Sequence, residues 1–149
     1  MPSPVCRIGR GLTAVCFDRS MSRAERARVY ALFELLGPVL EVPERQFDAF
    51  TATYSSSHGY HALATLAKAG QDYGLDRKTA LIAAAHALSD GILYWRDSRQ
   101  SLSKLLQEAA TPGGIAAASM AGMDKSGYAR AVANGLKAGI AQARRNAQG

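Results

Sequence analysis

The chain has 149 residues, 48% of them hydrophobic and 20% charged, with a formal net charge of +6. Its length favours one domain with a core of its own, and its composition is typical of a globular protein rather than a disordered one. The basic residues are scattered and the few aromatic residues do not alternate with them, so nucleic-acid binding is not expected. No apolar run approaches the length of a membrane-spanning helix, so no membrane partner is expected either.

The chain has two cysteines, Cys6 and Cys16. Two cysteines do not make a disulfide framework, and their spacing does not match a metal site, so both are expected to serve as small apolar residues. The first residues lack the apolar segment of a signal peptide, and we therefore expect a cytoplasmic protein.

The front of the chain predicts a strand, a helix and a second strand. Residues 11–17 are apolar and partly β-branched, as expected of a strand. Ser22 and Glu25 have the spacing of a capping box at a helix start, and Gly37-Pro38 ends that helix. Residues 38–42 predict the second strand, and a helical crossover of this kind normally joins parallel strands. The helix is expected to place its apolar side chains on one face, namely Val29, Leu32, Phe33 and Leu36.

From Glu44 onward the pattern is helical almost to the end of the chain. The polar stretch at residues 54–59 is expected to interrupt the helices as a loop. Gly74 predicts a helix end, and Asp76 predicts the N-terminal cap of the next helix. Gly91, inside that next helix, predicts close packing against a neighbouring helix. Helices are predicted at about residues 44–53, 60–73, 77–96, 102–109, 115–122 and 127–147.

The most specific local signal is Ala-Thr-Pro-Gly-Gly-Ile-Ala at residues 110–116. Pro112 ends the segment before it or occupies a first helical turn, because its ring fixes φ and removes the N–H. Gly113 and Gly114 leave the backbone bare where the next helix begins. The unpaired N–H groups of that helix start suit a small anion such as a carboxylate. A plain turn between two helices is the alternative.

Residues 110–116 resemble the Thr-Ser-Pro-Gly-Gly-Thr-Thr signature of the pyrroline-5-carboxylate reductases, the last enzymes of proline synthesis. Residues 1–3, Met-Pro-Ser, stand where that family has Met-Pro-Asn, and residues 9–14 match Gly-x-Gly-x-Thr-Ala. The resemblance runs from Met1 to about Ala147 and is to the C-terminal part of the family.

This resemblance implies a mainly α fold in which a helical dimerisation bundle at residues 44–149 follows a β-α-β remnant of a Rossmann-type nucleotide-binding domain at residues 1–43. It also implies a homodimer or a higher homo-oligomer, because the family interlocks two subunits through these helices. A Gly-x-Gly-x-x-Gly phosphate loop occurs nowhere in the chain. The chain alone is therefore expected to bind no cofactor, and NADPH only if a partner chain supplies the nucleotide-binding domain.

The resemblance further implies a substrate site made of two loops, for a small amino or imino acid. The family's Ser-Gly-Ser-Gly-Pro-Ala becomes Tyr-Ser-Ser-Ser-His-Gly at residues 54–59. Ala116 replaces a threonine whose hydroxyl, in the family, reaches the substrate nitrogen. A site built around a hydroxyl loses discrimination without it, whereas carboxylate binding by the backbone could survive. The residues implied to bind the ligand are Ser56, Ser57, Thr111, Gly113, Gly114 and Ala116.

His58 is a candidate catalytic residue, because it stands beside three serines and histidine exchanges protons near neutral pH. The alternative is a helix-start residue that fills the place of the family's proline. His58 and His61 are three residues apart, which resembles a pair of metal ligands only weakly, since no third ligand is evident. His86 lies among alanines in a predicted helix and is expected to be packed or at the solvent edge.

These observations favour a dimerisation-domain protein of the pyrroline-5-carboxylate reductase type that binds a small amino or imino acid without reductase activity of its own. A second hypothesis is one half of a split reductase, whose NADPH-binding half is a separate subunit. A third is a repurposed enzyme that uses His58 on another small substrate. A fourth is a chain whose front half was lost by truncation.

Overall fold

The computed structural model describes residues 4–147, so the Met-Pro-Ser match at residues 1–3 lies outside the described part. A short 3-10 helix, Pro4–Ile8, precedes two strands and seven α-helices in the described chain. The strands are β1 (Thr13–Val15) and β2 (Val39–Glu41), and the helices are α1 (Arg23–Glu34), α2 (Glu44–Thr53), α3 (Ser56–Asp72), α4 (Arg77–Ser98), α5 (Leu102–Ala109), α6 (Ile115–Lys125) and α7 (Tyr128–Asn146). The predicted fold class, mainly α after a small β-α-β unit, is confirmed.

The β-α-β unit is shorter than predicted but has the predicted topology. β1 and β2 pair in parallel, with Thr13 opposite Val39 and Val15 opposite Glu41. At the start of α1 both halves of the capping box are formed, because Ser22 and Glu25 each bond to the other's backbone N–H. Each strand has three residues, so the two strands pair over only this short length.

The predicted apolar face of α1 is only partly covered. Val29 and Phe33 are half-buried, as expected of a face that packs on the sheet. Leu32 is 62% exposed and Leu36 is also exposed, so this face of α1 is not buried along its whole length.

The start of α3 corrects the predicted loop at residues 54–59. α3 begins at Ser56, so only Tyr54 and Ser55 separate it from α2. Serine, histidine and glycine are poor helix formers in a helix interior. They are tolerated in a first turn because its N–H groups have no intrahelical partners in any sequence.

The helix ends in the second half of the chain follow the sequence closely. Gly74 has a φ of +99° after α3, and the side chain of Asp76 accepts from two backbone N–H groups at the start of α4. The Ser101 side chain caps α5 by accepting the backbone N–H of Lys104. Arg99 ends α4 with a φ of +54°, which is uncommon for a residue with a side chain.

No helix of the described residues is long and apolar enough to cross a membrane.

The chain divides into two compact units, each described by itself. The first runs through Ser56 and resumes at Asn134, and the second comprises Ser57–Ala133. The buried core of the first unit includes Ala14, Val15 and Val42. The core of the second consists of Ala67, Ala80 and Ala84, with Leu63 packed against it. These units divide the chain at different residues from the predicted boundary after Pro43, which stays a prediction.

Gly91 does not pack as predicted within this chain. Among the described residues, no atom outside its own helix lies within 4 Å of the position that a Cβ would take at Gly91. Gly139 is different, because a Cβ there would lie 3.3 Å from the Cβ of Ala52. Close helix packing through a glycine therefore occurs between α7 and α2 in the first unit, and any neighbour of Gly91 must come from outside the described chain.

Candidate functional site

The loop between α5 and α6 is a tight turn that requires its glycines. The N–H of Gly114 donates to the carbonyl of Thr111 at 2.9 Å. Gly113 has a φ of +76°, which residues with side chains rarely adopt, and a Cβ at Gly114 would lie 2.9 Å from the same carbonyl. The Pro-Gly-Gly sequence is therefore explained by the geometry of the turn.

This turn presents the N-terminus of α6 without a side-chain cap. Gly114 is the N-cap residue, and the first intrahelical bond runs from Ala118 to Gly114 at 3.1 Å. The N–H groups of the first three helical residues therefore have no intrahelical partner, and the helix dipole adds a positive potential there. Ala116 is exposed in this first turn. The arrangement suits a small carboxylate, and Ala116 contributes only backbone to it.

The hydroxyl of Thr111 points back toward α5. It donates to the carbonyl of Glu108 at 3.3 Å. This bond satisfies an acceptor at the end of α5, so the hydroxyl would have to give it up before it could donate to a ligand at the turn.

The other predicted loop is held by Tyr54. The N–H of Tyr54 donates to Phe50 at 2.7 Å at the end of α2, and its ring lies 5.5 Å from the ring of Phe50. Its phenol oxygen accepts the N–H of Leu12, at the entry to β1, at 2.6 Å. Tyr54 therefore ties the junction of α2 and α3 to the β-α-β unit.

Ser56, Ser57 and His58 follow in the first turn of α3. Ser56 is half-buried, whereas Ser57 and His58 are exposed, and the latter two have interaction partners of their own. The structure thus brings the predicted site residues into two local sets. One set is the α3 start, and the other consists of Thr111, Gly113, Gly114 and Ala116 at the turn before α6.

The remaining histidines show no metal-binding arrangement in the part of the chain that the structure describes. His61 is exposed, and no group of three or more metal-ligating side chains occurs among these residues. His86 is also exposed, and its Nδ1 lies 3.0 Å from Oδ2 of Asp90, one helical turn away. Hydrogen bonds from His86 and Ser89 lower the pKa of the Asp90 carboxyl below its ordinary value.

The glycines near β1 do not form a nucleotide-binding loop. Gly9 and Gly11 lead into a strand, whereas the glycine-rich phosphate loop of dinucleotide-binding folds leads from a strand into a helix. A Cβ at Gly11 would overlap Cys6, and a Cβ at Gly37 would overlap the carbonyl of Gly11. These glycines allow close backbone packing in the first unit.

A groove at the carboxyl ends of β1 and β2 was not indicated by the sequence. It has a volume of about 1550 Å³ and an apolar floor that includes Phe17, Phe33 and Phe47. Arg26 contacts two of the lining residues, with its guanidinium 5.3 Å from the centre of the Phe17 ring and 3.6 Å from the Glu41 carboxylate. The apolar residues of α1 and α2 did not predict this groove from sequence. The groove depends on how both helices pack at the ends of the strands.

This architecture, a helical domain that follows the end of a parallel α/β unit, is that of a reductase dimerisation domain. The family model for pyrroline-5-carboxylate reductase dimerisation matches residues 44–146. The pyrroline-5-carboxylate reductase of Mycobacterium tuberculosis is 30% identical, in an alignment that covers 89% of this chain and 51% of that protein. The chain therefore belongs to the pyrroline-5-carboxylate reductase family.

Solved structures of the family have the same fold. The Streptococcus pyogenes 1-pyrroline-5-carboxylate reductase is 26% identical with a TM-score of 0.87, and the match covers 97% of this chain and 57% of that one. The Plasmodium falciparum enzyme, solved with NADP bound, is 23% identical with a TM-score of 0.86 over 95% of this chain and 59% of that one. The chain spans about half the length of the curated relatives it matches.

Proposed function

We propose that this chain assembles as a homodimer through residues 44–149 and binds a small amino or imino acid, without NADPH-dependent reductase activity of its own. The observation that carries the proposal is the exposure of large apolar side chains along the helices of a chain that belongs to a dimerisation family. The domain boundary after Pro43 is part of this proposal.

The dimer is supported by what the single chain leaves uncovered. Ile92 is 57% exposed and Trp95 is 45% exposed on α4, near the open space at Gly91. The accessible surface of the chain is 11574 Å² at 15.8 kDa. A monomeric protein of that mass exposes roughly 7,300 Å². The difference of roughly 4,300 Å² per chain is at least as large as the area that one partner buries in an obligate dimer, so a second copy of the chain is the partner that we propose to cover it.

The ligand is supported by the turn before α6. Its bare glycines and uncapped N–H groups match a carboxylate, which is the anionic group common to amino and imino acids. Ala116 offers no hydroxyl, so recognition of the ligand nitrogen is weaker here than the family signature implies. The proposed ligand site therefore selects mainly for the carboxylate, with L-proline as the practical probe.

The proposal that the chain has no reductase activity of its own rests on the residues that could bind the nucleotide. NADPH would supply the hydride for reduction of an imino acid, and its pyrophosphate needs a strand–glycine-loop–helix element. Gly9 and Gly11 lead into a strand instead, and Gly11 and Gly37 allow close backbone packing. The chain's own residues can thus hold and orient a substrate carboxylate, while the reductant would have to be held by another polypeptide segment.

Two measurements on the purified chain test the proposal. Light scattering after size-exclusion chromatography should give a dimer at micromolar concentration, and a clean folded monomer would contradict the assembly. Titration calorimetry with L-proline at neutral pH, without nucleotide, should show saturable binding. No detectable heat over a wide range of ligand concentrations would contradict the ligand proposal and leave the dimer as the remaining function.

A split reductase is the second candidate function. It is favoured by the length of the relatives, which are about twice as long as the region that matches this chain. In this case a separate nucleotide-binding subunit would act with the chain. NADPH oxidation with pyrroline-5-carboxylate that appears only when both chains are mixed would support it. Failure of the two purified chains to form a complex would contradict it.

A further inference from the structure

We propose that the groove at the carboxyl ends of β1 and β2 binds an anionic amphiphile, namely a long-chain carboxylate whose head group pairs with Arg19 and Arg45. The groove lies within the first compact unit, because every residue that lines it precedes Ser56. The turn at residues 111–116 belongs to the second unit. The inference therefore concerns a separate site and does not depend on the proposed binding of an amino or imino acid.

The floor of the groove offers apolar surface that the described chain leaves partly open. It is formed by Phe17, Met21, Val29, Phe33 and Phe47, and each of these residues is only half-buried. An alkyl tail that lies on them removes apolar surface of the protein and of the ligand from water, which is favourable. The volume of about 1550 Å³ leaves room for a long, flexible tail.

Two of the acidic residues that line the groove are already paired with arginines of the chain. The carboxylate of Glu41 lies 3.6 Å from the guanidinium of Arg26, and Oδ2 of Asp48 lies 3.4 Å from Nε of Arg144. A cationic ligand would have to compete with these arginines for either carboxylate. The two ion pairs therefore make the groove less favourable for a cation.

The other two acidic residues of the groove, Asp18 and Glu44, are stabilised locally. Asp18 accepts hydrogen bonds from the backbone N–H and the hydroxyl of Ser20, at 2.8 Å and 2.6 Å. Glu44 lies in the first turn of α2, where the positive end of the helix dipole favours a negative charge. None of the four acidic side chains therefore requires a cation from a ligand.

The basic residues that line the groove are not engaged in this way. Arg19 and Arg45 are exposed, and neither forms a hydrogen bond or an ion pair within the described part of the chain. A guanidinium group pairs well with a carboxylate, because its N–H groups match the two carboxylate oxygens. The formal net charge of +6 also favours the approach of an anion. The uncommitted charges of the groove thus select an anionic head group beside the apolar floor.

The test varies the head group of the ligand and keeps its tail. Decanoate and decyltrimethylammonium carry the same alkyl tail with opposite charges, and both are titrated calorimetrically into the purified chain below their critical micelle concentrations. We expect decanoate to bind at least about tenfold more tightly than decyltrimethylammonium. Hexanoate should bind more weakly than decanoate, because its shorter tail covers less of the apolar floor.

The matched variants remove the same charge inside and outside the groove. Arg19→Gln combined with Arg45→Gln should raise the Kd for decanoate about tenfold or more, and should not weaken decyltrimethylammonium. The control combines Arg23→Gln with Arg28→Gln, at exposed positions of α1 that do not line the groove. It should change the Kd for decanoate by less than about threefold.

The two cysteines report where the ligand binds. Cys16 is exposed and lines the groove, whereas Cys6 is half-buried and does not line it. Decanoate should slow the alkylation of Cys16 by iodoacetamide and leave that of Cys6 unchanged, as measured by mass spectrometry. This measurement uses the wild-type chain, so it decides the matter if the arginine variants do not fold.

Four outcomes would overturn the inference. They are no saturable binding of decanoate, tighter binding of decyltrimethylammonium, an equal loss of decanoate affinity in the two double variants, and binding without protection of Cys16. The third would mean that the overall charge of the chain attracts the ligand, and the fourth would place the ligand outside the groove. Binding of L-proline is measured separately, and its presence or absence does not affect this test.

Discussion

Arg144 and Asp48 join α7 to α2 across 96 positions of sequence, with 3.4 Å between Nε of the first and Oδ2 of the second. Both side chains are largely in solvent, 70% and 44% exposed, so the ion pair contributes little to stability. The closer contact lies one to two turns back on α7, where Gly139 faces Ala52. Packing at Gly139, rather than the ion pair, is therefore the closer contact between α7 and α2.

The first prediction compares these two contacts. Gly139→Leu should lower the free energy of unfolding by about 1–3 kcal/mol, because a larger side chain must push α7 away from Ala52. Arg144→Ala should lower it by less than about 1 kcal/mol. Urea denaturation followed by circular dichroism measures both. Gly135→Leu is the control, since nothing in the described chain lies within 4 Å of a Cβ at Gly135. A larger loss at Gly135 than at Gly139 would contradict this account.

The second prediction concerns the exposed face of α4. Ile92→Glu should weaken the proposed homodimer on the order of 100-fold or more, because the interface would bury an unpaired charge. Light scattering at a series of protein concentrations measures the change. Asp97→Lys, roughly 140° around the helix from Ile92, is the control and should leave the dimer intact. Equal dissociation of both variants would show that charge balance, not this face, sets the assembly.

Local sequence signals predicted the helices well where the signal and its effect lie in the same turn. Ser22 with Glu25, Asp76 and Gly74 each act within a few residues, so their helix ends are at or near the predicted positions. The start of α3 was missed because Ser56–Gly59 look like a loop by composition. A first helical turn tolerates such residues, and composition alone does not distinguish the two cases.

The candidate site was less predictable, since its contacts join distant parts of the chain. Nothing local indicates that the phenol of Tyr54 accepts the N–H of Leu12, 42 residues away. The Pro-Gly-Gly turn was predictable because the constraint on φ is intrinsic to glycine. The orientation of the Thr111 hydroxyl toward Glu108 was not, because a threonine in a turn has several possible acceptors.

The third prediction is a pH dependence at the start of α4. Hydrogen bonds from Thr79, through its side chain and then its backbone, lower the pKa of the Asp76 carboxyl below 3.8. A folded-state pKa below the unfolded one means that the stabilisation is complete above about pH 4 and is lost as the pH falls through the folded pKa. Asp76→Ala should therefore lower the melting temperature at pH 7, and the difference from wild type should shrink in acid.

Asp76→Asn is the matched variant for this prediction. Asparagine accepts the same backbone N–H groups without a charge, so the cap should persist and its contribution should no longer vary with pH. Melting temperatures from pH 7 down to about pH 3 measure the effect. A loss in Asp76→Ala that stays constant over this range would contradict the role of the ionised carboxylate.

The fourth prediction tests the repurposed-enzyme hypothesis at His58. His58 is exposed in the first turn of α3, and Ala at this position is a good helix former. If the chain only binds its ligand, His58→Ala should change the Kd for L-proline by less than about threefold. The neighbouring variant Ser57→Ala provides a comparison in the same turn. Loss of a measurable turnover in His58→Ala alone would contradict the binding proposal and favour catalysis by this histidine.

The fifth prediction restores the hydroxyl at the second loop. Ala116 lies in the first turn of α6, and Ala116→Thr returns the donor and acceptor that the family signature has there. If residues 111–116 bind the ligand, the Kd for L-proline should fall about tenfold, the value of one net hydrogen bond of roughly 1.4 kcal/mol. Ile115→Thr is the control, because Ile115 is 89% exposed and stands one residue earlier. Equal gains in both variants would indicate a general change at the helix start, and no gain in either would place the ligand elsewhere.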